Sequence, residues 1–297
     1  MKVLVTGCYG QVGTELMALA KAYGHETIGF DYDTLDITDQ QAVQACVQKE
    51  QPDVLINAAA YTAVDKAEDD KDAAKAVNAT AVGYLAQACK VLDIPLIHIS
   101  TDYVFDGSKE GAYIESETVA PLGVYGETKL EGEVLVRSLC EKYYIFRTSW
   151  VFSAHGNNFV KTMLRLGAER EELGIVADQR GKPTSAREIA RVIYEVLASH
   201  KNAWGIYHLA QANAVTWFDF AQSIFDEAKQ QGLPLRVKQV NAITTADFPT
   251  PAKRPQNSEL DCSKLETTFN IELQPWNVSL AEVIKMLSEK SKMEDVQ

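Results

Sequence analysis

The residues best placed to do chemistry are a tyrosine and a lysine four apart in "GVYGETKLEGE", residues 123 to 133. On a helix, positions i and i+4 share a face, so Tyr125 and Lys129 can point into one cleft. A free phenol, with a pKa of about 10, is a reluctant acid or base at neutral pH, and a neighbouring ammonium lowers it by favouring the phenolate. Lys129 is expected to act on Tyr125 in this way and to hold a ribose hydroxyl as well. Taken alone, the Y-x-x-x-K spacing is common on solvent-facing helices. Its company raises it above that: "ISTDYVFDG" places Ser100, Thr101 and Asp102 just past a buried strand, at the edge where open α/β sheets bind ligands. A hydroxyl there would orient a carbonyl oxygen toward the phenol.

A second constellation stands at the start of the chain. Directly after the apolar run "KVLV" comes "TGCYGQVG", with Gly7, Gly10 and Gly13 three residues apart and a helix opening near Gln11. Glycines there permit a tight turn and close approach of the backbone to a pyrophosphate, and the helix N-terminus supplies free N–H groups and positive potential. A turn that uses glycine only for its φ freedom would have the same spacing. Here strand, loop and helix occur in the required order, and an acidic residue, Asp31, ends the second strand where a carboxylate meets an adenosine ribose. That carboxylate repels a 2′-phosphate unless a cation offsets it, and no Arg or Lys lies between Asp31 and Lys49. On charge alone, NAD, or tolerance of both NAD and NADP, is favoured.

These groups need a scaffold that brings residues 7, 31, 101 and 125 to one edge. Short apolar runs alternate with helix-like segments over the first half: "KVLVTG", "QVGTELMALAKAYG", "ETIGFD", "QQAVQACVQKE", "DVLINAAA", a long helical stretch from Val64 to Leu92, and "PLIHIS". Such alternation predicts an α/β fold, a doubly wound parallel sheet with helices on both faces, whose strands are apolar on both sides. The Tyr125 helix and the strand "YYIFRTSWVF" follow. Beyond Trp150 the alternation breaks into an amphipathic helix ("NNFVKTMLRLGAEREE"), a strand ("LGIVAD"), a further helix ("SAREIARVIYEVLASH"), "GIYHLA", a capped helix from Thr216 and the proline-rich "DFPTPAKRPQNS". The expected division is a nucleotide-binding unit over 1–149 that also receives elements from about 185–210, a smaller lobe mainly over 150–290, and a frayed tail at 291–297.

Composition excludes other classes. A formal charge of −12 and a pI near 5.0 would repel nucleic acid and anionic membranes, so an anionic ligand must find local cations. Five scattered cysteines without a C-x-x-C pair suit a reduced, cytoplasmic compartment. "MKVLVTG" is too short for a signal core, and no window approaches a membrane span.

The motifs together resemble the extended short-chain dehydrogenases/reductases, and most closely the dTDP-4-dehydrorhamnose reductase family within them. The likeness runs to about Leu287 through "TGCYGQVG", "LDIT", "NAAAYTAVDKAE", "ISTDYVFDG", "YGETK", "RTSWVF", "GNNFVKTM", "VADQRGKPT" and "KRPQNSELD". The glycine loop and Y-x-x-x-K identify only the superfamily; "AAAYTAVDKAE" and "STDYVFDG" are more specific. The resemblance implies a Rossmann-type domain with a smaller C-terminal substrate-binding lobe. It implies NAD(P) contacts at Gly10, Gln11, Val12, Asp31, Asp36, Ile37, Ala60, Tyr61 and Thr62. Tyr125 would be the proton donor, Lys129 its partner and ribose anchor, and Thr101 the hydroxyl that orients the carbonyl. Asp102 and Trp150 would touch the sugar. The cofactor implied is NADPH, with NADH also accepted, and the activity is reduction of the C4 ketone of a dTDP-linked 4-keto-6-deoxyhexose, for cell-surface polysaccharide. Among Arg180, Lys182, Lys253 and Arg254, Arg254 in "KRP" is the preferred cation for the diphosphate. Cys8-Tyr9 and Ser153 depart from the usual pattern. Some members use magnesium held by glutamates, at a subunit contact in at least one form; Glu15 could correspond but reads more simply as a solvated helix residue, and metal dependence and a homodimer are left open. Two alternatives stand beside the reductase. One is an epimerase or 4,6-dehydratase on the same scaffold, although Tyr103 stands where dehydratases carry a glutamate. The other is a non-catalytic NADP-binding regulator like the β subunit of methionine adenosyltransferase.

Overall fold

The structure, a computed structural model, describes residues 1–294, with the side chains of 291–294 left aside. The first half builds β1 (Lys2–Thr6), α1 (Gln11–Leu19), β2 (Glu26–Phe30), α2 (Gln40–Glu50), β3 (Val54–Asn57), α3 (Ala81–Leu92), β4 (Leu96–Thr101), α4 (Val124–Leu139) and β5 (Tyr143–Thr148). The helical stretch expected from Val64 is interrupted. It forms a short turn at Val64–Ala67, restarts at Lys71–Lys75 and passes through a π turn at Ala76–Thr80 into α3. Later come α5 (Phe159–Glu169), β6 (Glu172–Val176), α6 (Ala186–Ala198), β7 (Gly205–His208), α7 (Trp217–Gln230), β8 (Gln239–Ile243), α8 (Ser263–Phe269) and α9 (Trp276–Glu294). Of the expected tail, residues 291–294 continue α9 and residues 295–297 lie outside the described residues.

Six strands form one parallel sheet in the order β7-β5-β4-β3-β1-β2. Because successive side chains in a strand face opposite ways, each strand feeds two cores. Val3, Val5, Ile56, Ile97 and Phe146 pack toward α1 and α6, while Leu4, Leu55, Leu96 and Ile145 pack toward α2 and α3. Strands buried on both faces explain the unbroken apolar runs. The chain leaves β1 toward one neighbour, β2, and β3 lies on its other side. The gap between the C-terminal ends of β1 and β3 is thus a topological switch point, where doubly wound sheets bind ligands. Asn57 at the end of β3 bridges it, accepting the Thr6 hydroxyl at 2.8 Å and the Ala59 N–H at 3.1 Å.

A separate core forms where α5, β6, α7 and α9 meet, around Phe152, Met163, Ile175, Phe220, Phe225 and Ile284. β6 and β8 pair as a parallel two-stranded sheet at its edge. This lobe faces the C-terminal edge of the large sheet: the Asn158 amide donates to Gln11 Oε1 at 2.9 Å, and Arg254 reaches Asp65 beside the short helical turn after β3.

Candidate active site

The glycine loop wraps the switch point. Gly7 takes φ +71°, and a Cβ there would lie 2.6 Å from the Ala59 nitrogen. At Gly13 a Cβ would lie 2.0 Å from the Gly7 carbonyl oxygen, so only glycine lets α1 seat this close under the loop. Gly10 begins the helix and no side chain caps it, which leaves the first N–H groups of α1 directed at whatever occupies the loop. A cleft of about 630 Å³ opens there. Of the residues expected at a cofactor, Gly7, Gly10, Gln11, Val12, Asp31, Asp36, Ile37, Ala60, Tyr61, Thr62, Tyr125 and Lys129 all line it, and Gly13 lies beneath the loop. The Asp31 carboxylate is fixed by backbone donors, with Tyr9 N–H at 2.8 Å on one oxygen and Tyr32 N–H at 2.9 Å on the other. An uncapped helix end, a glycine cradle, a carboxylate at the end of β2 and a long cleft between them suit a dinucleotide.

The other end of the cleft holds Tyr125 and Lys129. Helix α4 has no side-chain cap of its own; instead Glu68, from the segment after β3, accepts the Val124 N–H at 2.9 Å and fixes the first turn that carries Tyr125. Behind it, Asn78 in the π turn exchanges hydrogen bonds with Tyr61 and donates to the Thr128 hydroxyl, locking the 60–62 backbone to α4. Lys129 is buried, and its ammonium donates to the Ile99 carbonyl at 2.6 Å. Burial brings it down to about 8, with Glu133 opposing the fall. Glu133 is held by Arg147 through two hydrogen bonds, at 2.9 and 2.7 Å, and by the Ser100 hydroxyl.

Tyr125 corrects one expectation. The enclosure of its hydroxyl pushes it up to about 12, with Thr101 within hydrogen-bond reach pulling it down and Asp102 adding to the rise. Lys129 does not depress it, since its ammonium is engaged with a backbone carbonyl instead. At neutral pH the phenol is a proton donor. Thr101 ends β4 beside it and donates to Asp102 Oδ1 at 2.9 Å. Tyr103 packs edge-on against the Tyr125 ring.

The second lobe supplies the facing wall. Trp150 has φ +47°, stacks on Trp217 with ring centroids 3.5 Å apart and planes 6° off parallel, and packs half-buried against the core of the second lobe; it is not among the residues that line the cleft. Arg254 is not a free cation. Its guanidinium holds Asp65 through two hydrogen bonds, at 3.1 and 2.7 Å. Arg180 pairs with Glu259, and the Lys182 ammonium donates to the Leu260 carbonyl. Lys253 is exposed, makes no ion pair with a described residue and lies at the small pocket of Tyr103 and Tyr125. Glu15 corrects a further expectation: it is buried, 4% exposed, and faces Arg187 at 3.4 Å and His155 at 3.8 Å. It lies under the second lobe rather than in solvent. Among the described residues no His, Cys, Asp and Glu cluster is arranged to hold a metal, and no helix is long and apolar enough to cross a membrane.

Sequence reasoning passed over several residues that shape the site. Gly156 and Asn157 cross from the second lobe to line the cleft, and Glu68 caps α4, the helix that carries Tyr125. Glu133 carried a signal, being four residues past Lys129 on the same helical face.

A parallel doubly wound sheet with this glycine loop, and with Thr101, Tyr125 and Lys129 gathered at its C-terminal edge, places the chain in the Rossmann-type short-chain dehydrogenase/reductase class. Residues 1–289 match the family model described as the RmlD substrate binding domain, and the chain belongs to that family. A dTDP-4-dehydrorhamnose reductase of Aggregatibacter actinomycetemcomitans is 46% identical over 287 residues, covering 95% of this chain and 98% of the relative. Among solved structures, a dTDP-4-dehydrorhamnose reductase of Clostridium acetobutylicum superposes with a TM-score of 0.91 at 42% identity, covering 97% of this chain and 99% of that one. A dTDP-4-dehydrorhamnose reductase of Bacillus anthracis in complex with NADP gives 0.90 at 37% identity, covering 96% and 99%.

Proposed function

We propose that this chain reduces the C4 ketone of dTDP-4-dehydro-6-deoxy-L-mannose to give dTDP-L-rhamnose, with NADPH as reductant and NADH also accepted. The observation that carries the reading is that Tyr125 and Lys129, with the Thr101 hydroxyl within hydrogen-bond reach of the phenol, stand at one end of a cleft whose other end is a dinucleotide cradle. The full-length identity to reductases of this name, and the NADP complex of the Bacillus anthracis relative, support it.

Bound in the cleft, the nicotinamide supplies a hydride to the ketone carbon. The chain supplies the rest. As negative charge develops on the ketone oxygen, Tyr125 gives up its proton to it, and a phenol held protonated by burial is suited to that task. The Thr101 hydroxyl orients the oxygen, and the Lys129 ammonium, held by the Ile99 carbonyl, keeps further N–H groups to offer a ribose. Asp31 takes an adenosine ribose hydroxyl, and Asp102 and Trp150 are the residues offered to the sugar. Lys253, not the paired Arg254, is the cation offered to the diphosphate. Arg254 holds the two lobes together through Asp65.

Glu15 offers little to a divalent cation, because two basic side chains already face its carboxylate. Turnover is expected to withstand a chelator. The test is incubation of the purified chain with NADPH and dTDP-4-dehydrorhamnose, with and without chelator. Cofactor oxidation with formation of dTDP-rhamnose is the expected result. Tight NADPH binding without product would instead favour a regulatory subunit.

A further inference from the structure

Asp102 carries a feature that sugar contact does not explain. It follows Thr101 at the end of β4, is 2% exposed, and offers Oδ1 to the Thr101 hydroxyl at 2.9 Å, while Oδ2 has no partner at hydrogen-bond geometry. The Ser258 hydroxyl approaches from the second lobe but is directed to the Arg180 carbonyl at 3.4 Å. The titratable groups around it are the phenols of Tyr103, on its own turn, and of Tyr125, on α4. Beyond Tyr103 stands the Arg254 guanidinium, already bound to Asp65. No cation balances a charge on Asp102, and a buried carboxylate with a bare oxygen is costly, whereas the neutral acid gains a donor. Burial pushes this carboxyl up to about 7.

The neighbouring threonine couples this carboxyl to the catalytic phenol. A hydroxyl has one proton and two lone pairs. The Tyr103 N–H, at 3.2 Å, takes one lone pair of Thr101. One proton and one lone pair are left to divide between Asp102 on one side and Tyr125 on the other. With Asp102 ionised, the threonine proton is committed to the carboxylate, so Thr101 can only accept from Tyr125, and the phenol proton turns away from the ketone. With Asp102 protonated, the carboxyl donates to Thr101, the threonine proton is released toward the cleft, and the Tyr125 proton points at the ketone oxygen. We propose that Asp102 is a positioning residue whose proton sets the direction of the Asp102–Thr101–Tyr125 hydroxyl chain, and thereby decides whether Tyr125 can present its own proton to substrate. The switch needs only rotation of hydroxyls. It rests on the reductase reading above.

Two measurements test it. In the pH profile of turnover by the full chain with NADPH and dTDP-4-dehydrorhamnose, the wild type is expected to fall on the alkaline side with a midpoint of about 7. Asp102→Asn presents an N–H to Thr101 at every pH, so its fall is expected to move to the Lys129 region, about 8. Thr101→Ser, which keeps the hydroxyl, should keep the wild-type midpoint. Identical midpoints in the wild type and Asp102→Asn would overturn the proposal. The second measurement needs neither substrate nor a folded variant: carbon NMR of the wild-type chain labelled at aspartate carboxyls. One carboxyl titrating near neutrality supports the proposal, and titration of every aspartate below about pH 5 overturns it. That result is independent of turnover, so a chain that reduces nothing would be recognised as a failure of the functional reading alone.

Discussion

Replacing Glu133 with Gln tests how Lys129 is held. Glu133 lies on the buried face of α4, its carboxylate doubly hydrogen-bonded to Arg147, with 1% of one side chain and 3% of the other exposed. Gln keeps the shape and one acceptor oxygen but leaves the Arg147 guanidinium buried without a counter-charge. Breaking one partner of such a pair costs roughly 3–5 kcal/mol, and the surviving neutral hydrogen bond places this case at about 3 kcal/mol. Against a total stability of about 5–15 kcal/mol the loss is large. At roughly 2–4 °C per kcal/mol the melting temperature should fall by about 6–12 °C. A second effect follows from the sign of the charge. Glu133 is the group that opposes the burial-driven fall of Lys129 to about 8, so without it the ammonium loses its proton at lower pH and the alkaline limb attributed to Lys129 moves down. Urea denaturation of Glu133→Gln, Arg147→Met and the double variant measures the first effect. The double variant should lose less than the sum of the singles by roughly 2–3 kcal/mol, because it removes the stranded charge. Turnover across neutral to alkaline pH, with Glu133→Gln placed in the Asp102→Asn background that exposes the Lys129 limb, measures the second. A loss below about 1 kcal/mol with an unmoved alkaline limb would refute the reasoning.

Further outcomes follow from the same geometry. Gly13→Ala places a Cβ against the Gly7 carbonyl, so NADPH affinity by calorimetry should weaken by roughly two orders of magnitude, and unchanged affinity would show that the loop yields. Lys253→Met should raise KM for the nucleotide sugar by roughly tenfold with kcat little changed, the signature of lost ground-state binding, and an equal loss in kcat would contradict that role. Asp102 has a folded pKa raised from 3.8 to about 7, so the folded state holds its proton longer than the unfolded one. Its contribution to stability therefore declines as pH rises between those values and is flat above them. Asp102→Asn should then be more stable than wild type by a few kcal/mol above neutrality and no more stable in acid. A pH-independent difference in denaturation would count against the buried proton.

Much of the fold was legible because strands buried on both faces write unbroken apolar runs. "KVLVT", "VLIN" and "LIHIST" are strands of the sheet, and alternate residues supply its two cores. The glycine loop was legible for a different reason: Gly7 and Gly13 are dictated by backbone contacts that no other residue permits. What spacing could not reveal was the identity of partners distant in the chain. Arg254 reads from sequence as a cation for a diphosphate, and its pairing with Asp65, 189 positions away, is visible only in the fold. Glu15 looked like a helix-surface residue because its neighbours are distant in the chain: Arg187 on α6, which packs beside α1, and His155 from the second lobe. The state of Tyr125 was misjudged for a related reason. Sequence gives a lysine four residues on, but whether that ammonium faces the phenol or the Ile99 carbonyl depends on how α4 lies over β4.

The central claim is that the Tyr125 hydroxyl supplies the proton that completes reduction of the ketone. Its most direct test is the steady-state rate of NADPH oxidation by Tyr125→Phe with dTDP-4-dehydrorhamnose, set beside the NADPH dissociation constant of the same variant. The account requires kcat to fall by roughly 10²–10⁴-fold with cofactor affinity unchanged within about threefold. A variant that turns over within about threefold of the wild type would contradict it.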